Sequence, residues 1–476
     1  MGYMNQLHWE KLLCKSRKRN SNSLVKQDTA SVIVRNAFEA DYDRIVGSSS
    51  VRRLQDKAQV FPLQKNDFTR TRLTHSIEVS AMARSLGKAV GKQLEKKEES
   101  FTEDMTDELA ALLQTAGLIH DLGNPPFGHY GETVIRQWFC GWFESNKFLK
   151  KEIFLTEQEK KDFIFFDGNV QNLRIVTKLQ ILNDAYGANF TYGTLATIIK
   201  YPWRSASKAT TEKNKFGYFK SEEQLVEEIR KAMGLSDGQR HPATFLLEAA
   251  DDIIYVCDDI EDGVKKGYIP WELVYNTIKK QFDSDEYQEL YEKIESKAPD
   301  ENIEEGDKIL SRVRIFRNFT QGYLFEIAIN EFMKHYDSIM SGTYKKELLD
   351  SKKDFVDYLK KSVTGKYCFS CHEVLALELV GDKVIKTLLD VFVSALTESN
   401  VKELENAALF QGKIYSLNSS NFKYIALHDY DQNGQKKLKD ISMYDKLHLV
   451  VDFISGMTDS YAVNLYKELT GISLPQ

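Results

Sequence analysis

Two histidines and two aspartates, on three distant segments, have the residue types of a metal site. They are His75, the adjacent pair His120 and Asp121, and Asp251. Two imidazoles and two carboxylates suit a divalent ion such as Mn, Fe, Co or Ni, and also Mg when water completes the shell. Binding an ion would offset the cost of burying two carboxylates together. Each residue alone also has a common structural role, as a hydrogen-bonded core histidine or as a helix cap.

Hydrophobic periodicity places the first three of these residues on or beside helices. After Arg72, core-type residues recur at three- and four-residue steps, and His75 begins this stripe, so we expect its side chain to point inward. A second helix is predicted from about Thr106, and it ends in His120-Asp121-Leu122-Gly123. Gly123 and two following prolines then predict the end of the helix and a fixed loop.

A third helix is predicted to begin near Pro242, a residue suited to a first helical turn. One of its faces has polar residues at three- and four-residue steps, namely Glu248, Asp251, Tyr255, Asp259 and Asp262. A charge stripe alone most often indicates a solvated face. Because most of the remaining circumference is apolar, we expect this stripe to face a cavity.

The composition predicts a large, mostly helical core. The chain has 476 residues, of which 42% are hydrophobic and 12% aromatic, and this excludes a disordered chain. Only 8 prolines occur, which favours helices. The 64 Lys+Arg and 70 Asp+Glu residues give a net charge of -6, which argues against a protein built around nucleic-acid binding.

The chain has no recognisable export or membrane signal. Its first residues are polar and basic, and no window offers the roughly eighteen apolar residues of a membrane span. Its 5 cysteines are scattered, which favours reduced thiols over a disulfide framework. We therefore expect a cytoplasmic protein that does not contact a membrane.

Longer motifs around the candidate ligands resemble a known family. They occupy residues 52–63, 70–75, 117–132, 166–171, 249–255 and 452–462. The loop Gly-Asn-Pro-Pro-Phe-Gly-His at 123–129 is the most specific of them. In this order the motifs resemble the deoxyguanosinetriphosphate triphosphohydrolase (dGTPase) family of the HD-domain phosphohydrolase superfamily, over most of the chain.

The resemblance, together with the composition, predicts an all-α fold. It implies an HD-domain helical core at residues 41–290, preceded by an N-terminal segment at 1–40. A helical C-terminal region at 291–476 would complete the pocket and form oligomer contacts. The irregular run at 413–440 is compatible with a small β-hairpin, and the charged stretches at 144–161, 205–240 and 296–308 favour exposed insertions or linkers.

The resemblance also implies a metal-dependent hydrolase that converts dGTP to deoxyguanosine and tripolyphosphate. His75, His120, Asp121 and Asp251 match the family's metal ligands. Asp251 is preferred to its neighbour Asp252 because the family has a tyrosine four residues and an aspartate eight residues after the ligand. The native ion is left open among Mg, Mn, Co, Fe and Ni.

Two residues on the loop after His120 match the catalytic pair of the family. His129 would donate a proton to the departing sugar oxygen, because histidine has the unperturbed pKa best suited to that task. Glu132 would orient the imidazole or raise its basicity. From the residues alone, a loop or capping role is favoured for His129.

The resemblance implies further contacts to the nucleotide. The candidate substrate-binding residues are Gln59, Arg72, Lys200, Tyr255, Asp259 and Arg317. Arg72 is the best supported phosphate ligand, since arginine presents forked donors to phosphate oxygens. Lys200 and Arg317 could instead be ordinary surface charges. Tyr255 would stack on the deoxyribose and exclude a 2′-hydroxyl, and Asp259 would bind the 3′-hydroxyl.

Other functions fit the same residues. The enzyme could act on several dNTPs, or be another HD phosphohydrolase. A protein of a different class, a nucleotide sensor or single-stranded-DNA-binding protein with an inactive HD fold, is disfavoured by the intact ligand set and by His129. The family implies a homo-oligomer, possibly a hexamer, and leaves single-stranded DNA or a nucleotide as possible effectors.

Overall fold

The computed structural model describes residues 7–19, 35–61, 63, 68–145, 155–180, 186–297, 304–429, 434–435 and 437–473. These residues are mostly helical, which confirms the all-α prediction. The predicted N-terminal segment and the two charged stretches at 144–161 and 296–308 lie partly outside the described residues. How the chain divides into domains stays a prediction.

The described part of the chain has twelve α-helices before residue 266. They are α1 (Trp9–Leu12), α2 (Ala37–Val46), α3 (Ser49–Arg53), α4 (Arg72–Lys97), α5 (Glu103–Ile119), α6 (Gly128–Glu144), α7 (Glu157–Ile164), α8 (Gly168–Arg174), α9 (Tyr192–Thr197), α10 (Lys208–Lys213), α11 (Glu223–Met233) and α12 (Pro242–Lys265).

The second half of the chain is also helical. Its α-helices are α13 (Trp271–Gln281), α14 (Asp285–Glu295), α15 (Glu305–Lys334), α16 (Tyr336–Met340), α17 (Lys353–Asp357), α18 (His372–Glu398), α19 (Val401–Glu405), α20 (Phe410–Leu417), α21 (Ser420–Leu427), α22 (Met443–Ser455) and α23 (Asp459–Leu469).

Shorter elements complete the fold. The 3₁₀ turns are Leu54–Asp56, Lys220–Glu222, Leu348–Lys352 and Leu438–Asp440, and π-helical segments occupy Ile175–Leu179 and Tyr358–Phe369. Two strands of two residues, β1 (His428–Asp429) and β2 (Gly434–Gln435), pair antiparallel. This small hairpin lies within the irregular run where the sequence allowed one.

Three helices form the centre of the fold. Helix α4 packs along α5, and α12 packs against both of them and against α15. The predicted stripe of α4 is buried from His75 through Val79 and Leu86 to Val90, with Met82 only partly buried. Because three apolar faces meet here, the polar residues on the same faces are brought together inside the protein.

Local capping explains where these helices begin. Thr71 precedes α4 and accepts a hydrogen bond from the backbone N–H of Thr74, whose hydroxyl in turn accepts one from the N–H of Thr71. Such reciprocal caps satisfy donors that the first helical turn leaves unpaired. Helix α12 begins at Pro242, as predicted, and the His241 side chain accepts a hydrogen bond from the N–H of Ala243.

The C-terminal helices pack directly on the central part of the fold. Helix α18 contacts α6, α22 and α23. A buried ion pair joins Arg174 of α8 to Asp452 of α22, with 2.7 Å between the Nη2 and Oδ2 atoms. A buried pair of this kind depends on both members, because either charge alone would remain desolvated.

The prediction of an exposed insertion at 205–240 is wrong. Phe216, Phe219 and Ile229 are buried within this stretch, which contains α10 and α11. These apolar residues bury the segment, and even the charged Glu222 is buried, where it pairs with Arg174 and Lys178. None of the helices in the described part of the chain is long and apolar enough to cross a membrane.

The turn after α5 depends on close backbone packing at Gly123. A Cβ atom built on Gly123 would lie 2.0 Å from the carbonyl oxygen of Gly168 and 2.2 Å from the backbone nitrogen of Asn172. Backbone atoms of a helix N-terminus cannot move aside as a flexible side chain can. Glycine is therefore required here because the loop and α8 are in contact.

We predict that Gly123→Ala lowers the free energy of unfolding by about 1–3 kcal/mol, because the added methyl overpacks a backbone contact. Gly141→Ala is a matched control, since Gly141 is in α6 with no atom within 4 Å of its Cβ position. That change should stabilise the helix by about 0.5–1 kcal/mol. Thermal unfolding of both variants checks this, and equal stability of the Gly123 variant and wild type would contradict it.

Candidate metal centre and catalytic loop

The four candidate metal ligands meet where the three central helices cross. His75 projects from the first turn of α4, His120 and Asp121 follow the last turn of α5, and Asp251 lies in the middle of α12. The three segments are far apart in the sequence, so helix packing alone brings them together.

The distances among the four side chains are those of groups around one point. Asp251 Oδ1 lies 3.1 Å from His75 Nε2 and 3.5 Å from His120 Nε2. His120 Nε2 lies 3.6 Å from Asp121 Oδ1. His75, His120 and Asp121 each offer a ligand atom within 4.8 Å of the others. Neighbouring ligands of an ion with bonds of about 2.1 Å are roughly 3 Å apart, so the arrangement is compatible with one divalent ion.

Hydrogen bonds orient two of these ligands. His120 Nδ1 lies 2.7 Å from the carbonyl oxygen of Gly117 and therefore donates its hydrogen there. This leaves the lone pair on Nε2, which is buried and has no hydrogen-bond partner in the described part of the chain. Asn124 Nδ2 and Arg72 Nη1 donate to the two oxygens of Asp121, at 2.6 and 2.5 Å. Such outer hydrogen bonds fix the direction of metal ligands.

The electrostatic field at this point favours a cation. Burial lowers the pKa of His120, but the carboxylates of Asp121 and Asp251 more than reverse this and raise it to about 9. Burial raises the pKa of Asp251, but His120 and His75 hold it well below its usual range. A site that holds a proton this strongly is negative, and a divalent ion competes for the same donor atoms. The donor set therefore fits a divalent metal.

The next residue along α12 points to a different partner. Asp252 forms an ion pair with Lys360 of the second π-helical segment, with 2.6 Å between Oδ1 and Nζ. Asp251, in contrast, reaches both histidines. The geometry therefore supports the preference for Asp251 as a ligand.

His129 and Glu132 form a second polar pair, at the start of α6. His129 Nδ1 lies 3.5 Å from Glu132 Oε2. The His129 side chain is 80% exposed because it lines a cavity, whereas Glu132 is buried. The hydrogen bond from His129 to Glu132 is the largest of several effects that raise the pKa of this histidine. Glu132 is itself fixed, since its Oε1 accepts the backbone N–H of Gly168 at 2.7 Å.

One cavity of about 210 Å³ joins the candidate metal centre to His129. Nine predicted site residues line it: Gln59, Arg72, His75, His120, Asp121, His129, Lys200, Asp251 and Tyr255. The stripe on α12 thus faces a cavity over its first two turns, from Glu248 to Tyr255, as its amphipathic pattern predicts.

The candidate phosphate ligands of the cavity are already paired with acids. Lys200 Nζ contacts Glu248, one turn before Asp251 on α12, and this carboxylate raises the pKa of Lys200 against the lowering effect of burial. Lys215 also lines the cavity and contacts the buried Asp167. Both lysines are therefore held in place before any ligand binds.

Two predicted substrate-binding residues do not line this cavity. Asp259 lies two turns after Asp251 and is buried, and burial raises its pKa well above the usual range. Arg317 of α15 pairs with Glu261 of α12, with 2.6 Å between Nη1 and Oε2, more than two helical turns after Asp251. Asp262, the last member of the stripe, binds Arg70. Beyond Tyr255, other helices cover the stripe.

Sequence reasoning missed four polar residues of the cavity lining, namely Asn124, Asn169, Tyr201 and Lys215. Asn124 and Asn169 lie inside motifs quoted for the resemblance, and Tyr201 follows Lys200, so attention to these motifs could have found them. Nothing in the sequence around Lys215 distinguishes it from other surface lysines, and only the fold brings it beside Asp167.

Comparisons with known proteins agree with this geometry. A family model described as HD domain matches residues 72–166, and one described as phosphohydrolase-associated domain matches residues 426–468. A deoxyguanosinetriphosphate triphosphohydrolase-like protein of Listeria innocua is 39% identical, over 98% of this chain and 100% of its own. The chain belongs to the dGTPase family of HD-domain proteins.

Other members of the dGTPase family are similarly related to this chain. A deoxyguanosinetriphosphate triphosphohydrolase-like protein of Pseudomonas aeruginosa is 32% identical over 98% of this chain and 100% of its own. A deoxyguanosinetriphosphate triphosphohydrolase of Yersinia enterocolitica is 30% identical over 91% of this chain and 93% of its own. The similarity therefore extends well beyond the matched HD domain.

We predict that Asp251→Asn weakens manganese binding more than roughly 100-fold, because it removes a charged ligand. Loss of an outer hydrogen bond to a ligand costs only about 10–100-fold. Asp252→Asn is the matched control, since it removes the adjacent carboxylate of α12 and should keep the ion. Equilibrium dialysis with manganese, followed by elemental analysis, measures both. Equal manganese binding by the two variants would remove Asp251 from the ligand set.

Proposed function

We propose that this protein is a metal-dependent dNTP triphosphohydrolase that converts dGTP to deoxyguanosine and tripolyphosphate. The observation that carries the proposal is the single cavity shared by the His/Asp centre and His129. Its size suits part of a nucleotide, and its lining is polar. The names of relatives that align with nearly the whole chain support the same activity.

The charge of the cavity supports a metal-assisted reaction of a triphosphate. Apart from the histidines, its charged lining residues are Arg72, Lys200 and Lys215 on one side and Asp121, Glu248 and Asp251 on the other. Three cations and three carboxylates leave no positive excess for a triphosphate. A divalent ion held by the four candidate ligands would supply that charge and polarise the phosphate oxygens.

The residues of this chain would then position the nucleotide and move a proton. Arg72 lies beside Asp121 and could donate to a phosphate oxygen with its remaining N–H groups, and Lys200 and Lys215 line the same cavity. Cleavage next to the sugar creates an alkoxide that needs a proton. His129 is the proposed donor, because it lines the cavity and its hydrogen bond to Glu132 raises its pKa.

The proposed sugar site lies on the α12 side of the cavity. Tyr255 is one turn after Asp251 and Gln59 lies in the same lining, so both could contact the deoxyribose. A tyrosine packed beneath the sugar would disfavour a 2′-hydroxyl. Asp259 could bind the 3′-hydroxyl only if the sugar reached its buried carboxylate. Arg317 could bind a phosphate only if its ion pair with Glu261 broke.

Product analysis tests the reaction. Pure protein loaded with Mg, Mn or Co should convert dGTP to deoxyguanosine and tripolyphosphate in equal amounts, as separated by ion-exchange chromatography. Formation of dGDP or pyrophosphate as the first product would contradict the proposal. Competition among the four dNTPs separates a dGTP-specific enzyme from one of broad specificity. Nucleotide binding without turnover with all three metals would instead indicate a sensor.

The pH dependence tests the proton donor. Because Glu132 raises the pKa of His129, His129 stays protonated, and able to donate, to a higher pH than an ordinary histidine. Glu132→Gln should lower that pKa and move the alkaline limb of the kcat/KM profile to lower pH. Glu144→Gln, an exposed change at the end of α6, is the control and should leave the limb in place. An unmoved limb in the Glu132 variant would exclude this pairing.

A further inference from the structure

Lys57 and Asp459 contact the backbone of the loop that joins Asp121 to His129. Lys57 follows the 3₁₀ turn before α4, and Asp459 is the first residue of α23. Neither side chain lines the cavity. Both are nonetheless buried, at 3% and 1% exposure, although each is ionisable.

Asp459 binds two separate segments through its two oxygens. Its Oδ1 accepts the backbone N–H of Phe127, and its Oδ2 accepts the backbone N–H of Ala58, both at 3.0 Å. Burial raises the pKa of Asp459, and these two N–H donors lower it in part. A buried carboxylate at the start of a helix thus ties the catalytic loop to the segment before α4.

Lys57 completes the same connection through its amino group, whose pKa is lowered by burial to about 7. Its Nζ donates to the carbonyl oxygens of Asn124 and Ser455, at 2.5 and 3.0 Å. Its own carbonyl oxygen accepts the N–H of Arg72 at 3.1 Å, which fixes the start of α4. Asn124 is the residue whose side chain donates to Asp121. Lys57 therefore contacts the backbone of a residue that orients a candidate metal ligand.

The loop needs an external support of this kind. Phe127 adopts a left-handed conformation, with φ of 62°, which is uncommon for a residue with a side chain. The ring of Phe127 packs against Gly381 of α18, where a Cβ atom would approach to 2.7 Å. Asp459 accepts the backbone N–H of Phe127 itself. His129 follows two residues later.

We propose that Asp459 and Lys57 are positioning residues that hold the loop 122–128, and through it His129 and Asp121, in the geometry that catalysis requires. The C-terminal helices α22 and α23 would then take part in the chemistry without contacting the substrate. This inference rests on the proposed function for its effect on turnover, but its effect on the loop is independent of any activity.

Asp459→Asn is the main test, because it keeps the size of the side chain but replaces one acceptor oxygen with an N–H group. We expect kcat for dGTP at saturating manganese to fall about 10–100-fold, as a small misplacement of a catalytic group does. KM should change less than about threefold, since the cavity lining is untouched. Hydrogen exchange of the backbone amides in a peptide that covers 123–129 should become faster.

Asp41→Asn is the matched control. Asp41 of α2 is an equally buried aspartate, but it binds Arg17, Thr191 and Thr194 and does not contact the loop. This variant should lose stability while its kcat stays within threefold of wild type and the 123–129 amides keep their protection. A fall in kcat as large as that of Asp459→Asn would show a general loss of stability and overturn the proposal.

Lys57→Met provides a second test should Asp459→Asn fail to fold. It removes the amino group but keeps an unbranched side chain, and the same loss of amide protection and of kcat is expected. Unchanged exchange in the loop, or faster exchange with unchanged kcat, would overturn the positioning role.

Should wild type hydrolyse none of the four dNTPs, the proposed function fails, whereas the exchange data still decide whether the two residues hold the loop.

Discussion

The structure depends on two carboxylates, Asp121 and Asp251, being held beside two imidazoles inside the protein. Burying these acids is unfavourable unless opposite charge surrounds them. His75, His120 and Arg72 supply part of that charge, and Asp121 and Asp251 raise the pKa of His120 against the lowering effect of burial. A divalent ion would complete the balance. The positive charge of this ion would also attract a triphosphate, because the cationic and acidic side chains that line the cavity are equal in number.

A rigid loop connects this centre to the candidate proton donor. The turn at Gly123 has no room for a side chain, and Phe127 holds a left-handed conformation before α6 begins. Glu132 is fixed behind His129 by the backbone N–H of Gly168. Because residues from α8, α18 and α23 all contact this stretch, the position of His129 depends on much of the fold and not only on neighbouring residues.

Much of the central architecture was predictable, because periodicity and capping are local properties. The start of α12 at Pro242 and the inward stripe of α4 follow from a few residues. The confirmed family resemblance added His129 and Glu132, whose roles stay proposals, as do the oligomer and a DNA effector. Pairings between distant residues could not be predicted. Nothing near Arg317 shows that Glu261 will bind it, and nothing near Asp259 shows that packing will cover it.

X-ray absorption of the cobalt-loaded protein tests the central claim most directly, because it reports the atoms around the ion itself. The account predicts one cobalt per chain, a first shell of nitrogen and oxygen at about 2.1 Å, and outer-shell scattering from two imidazole rings. A shell without imidazole scattering, or one that contains sulfur, would contradict a centre formed by His75, His120, Asp121 and Asp251.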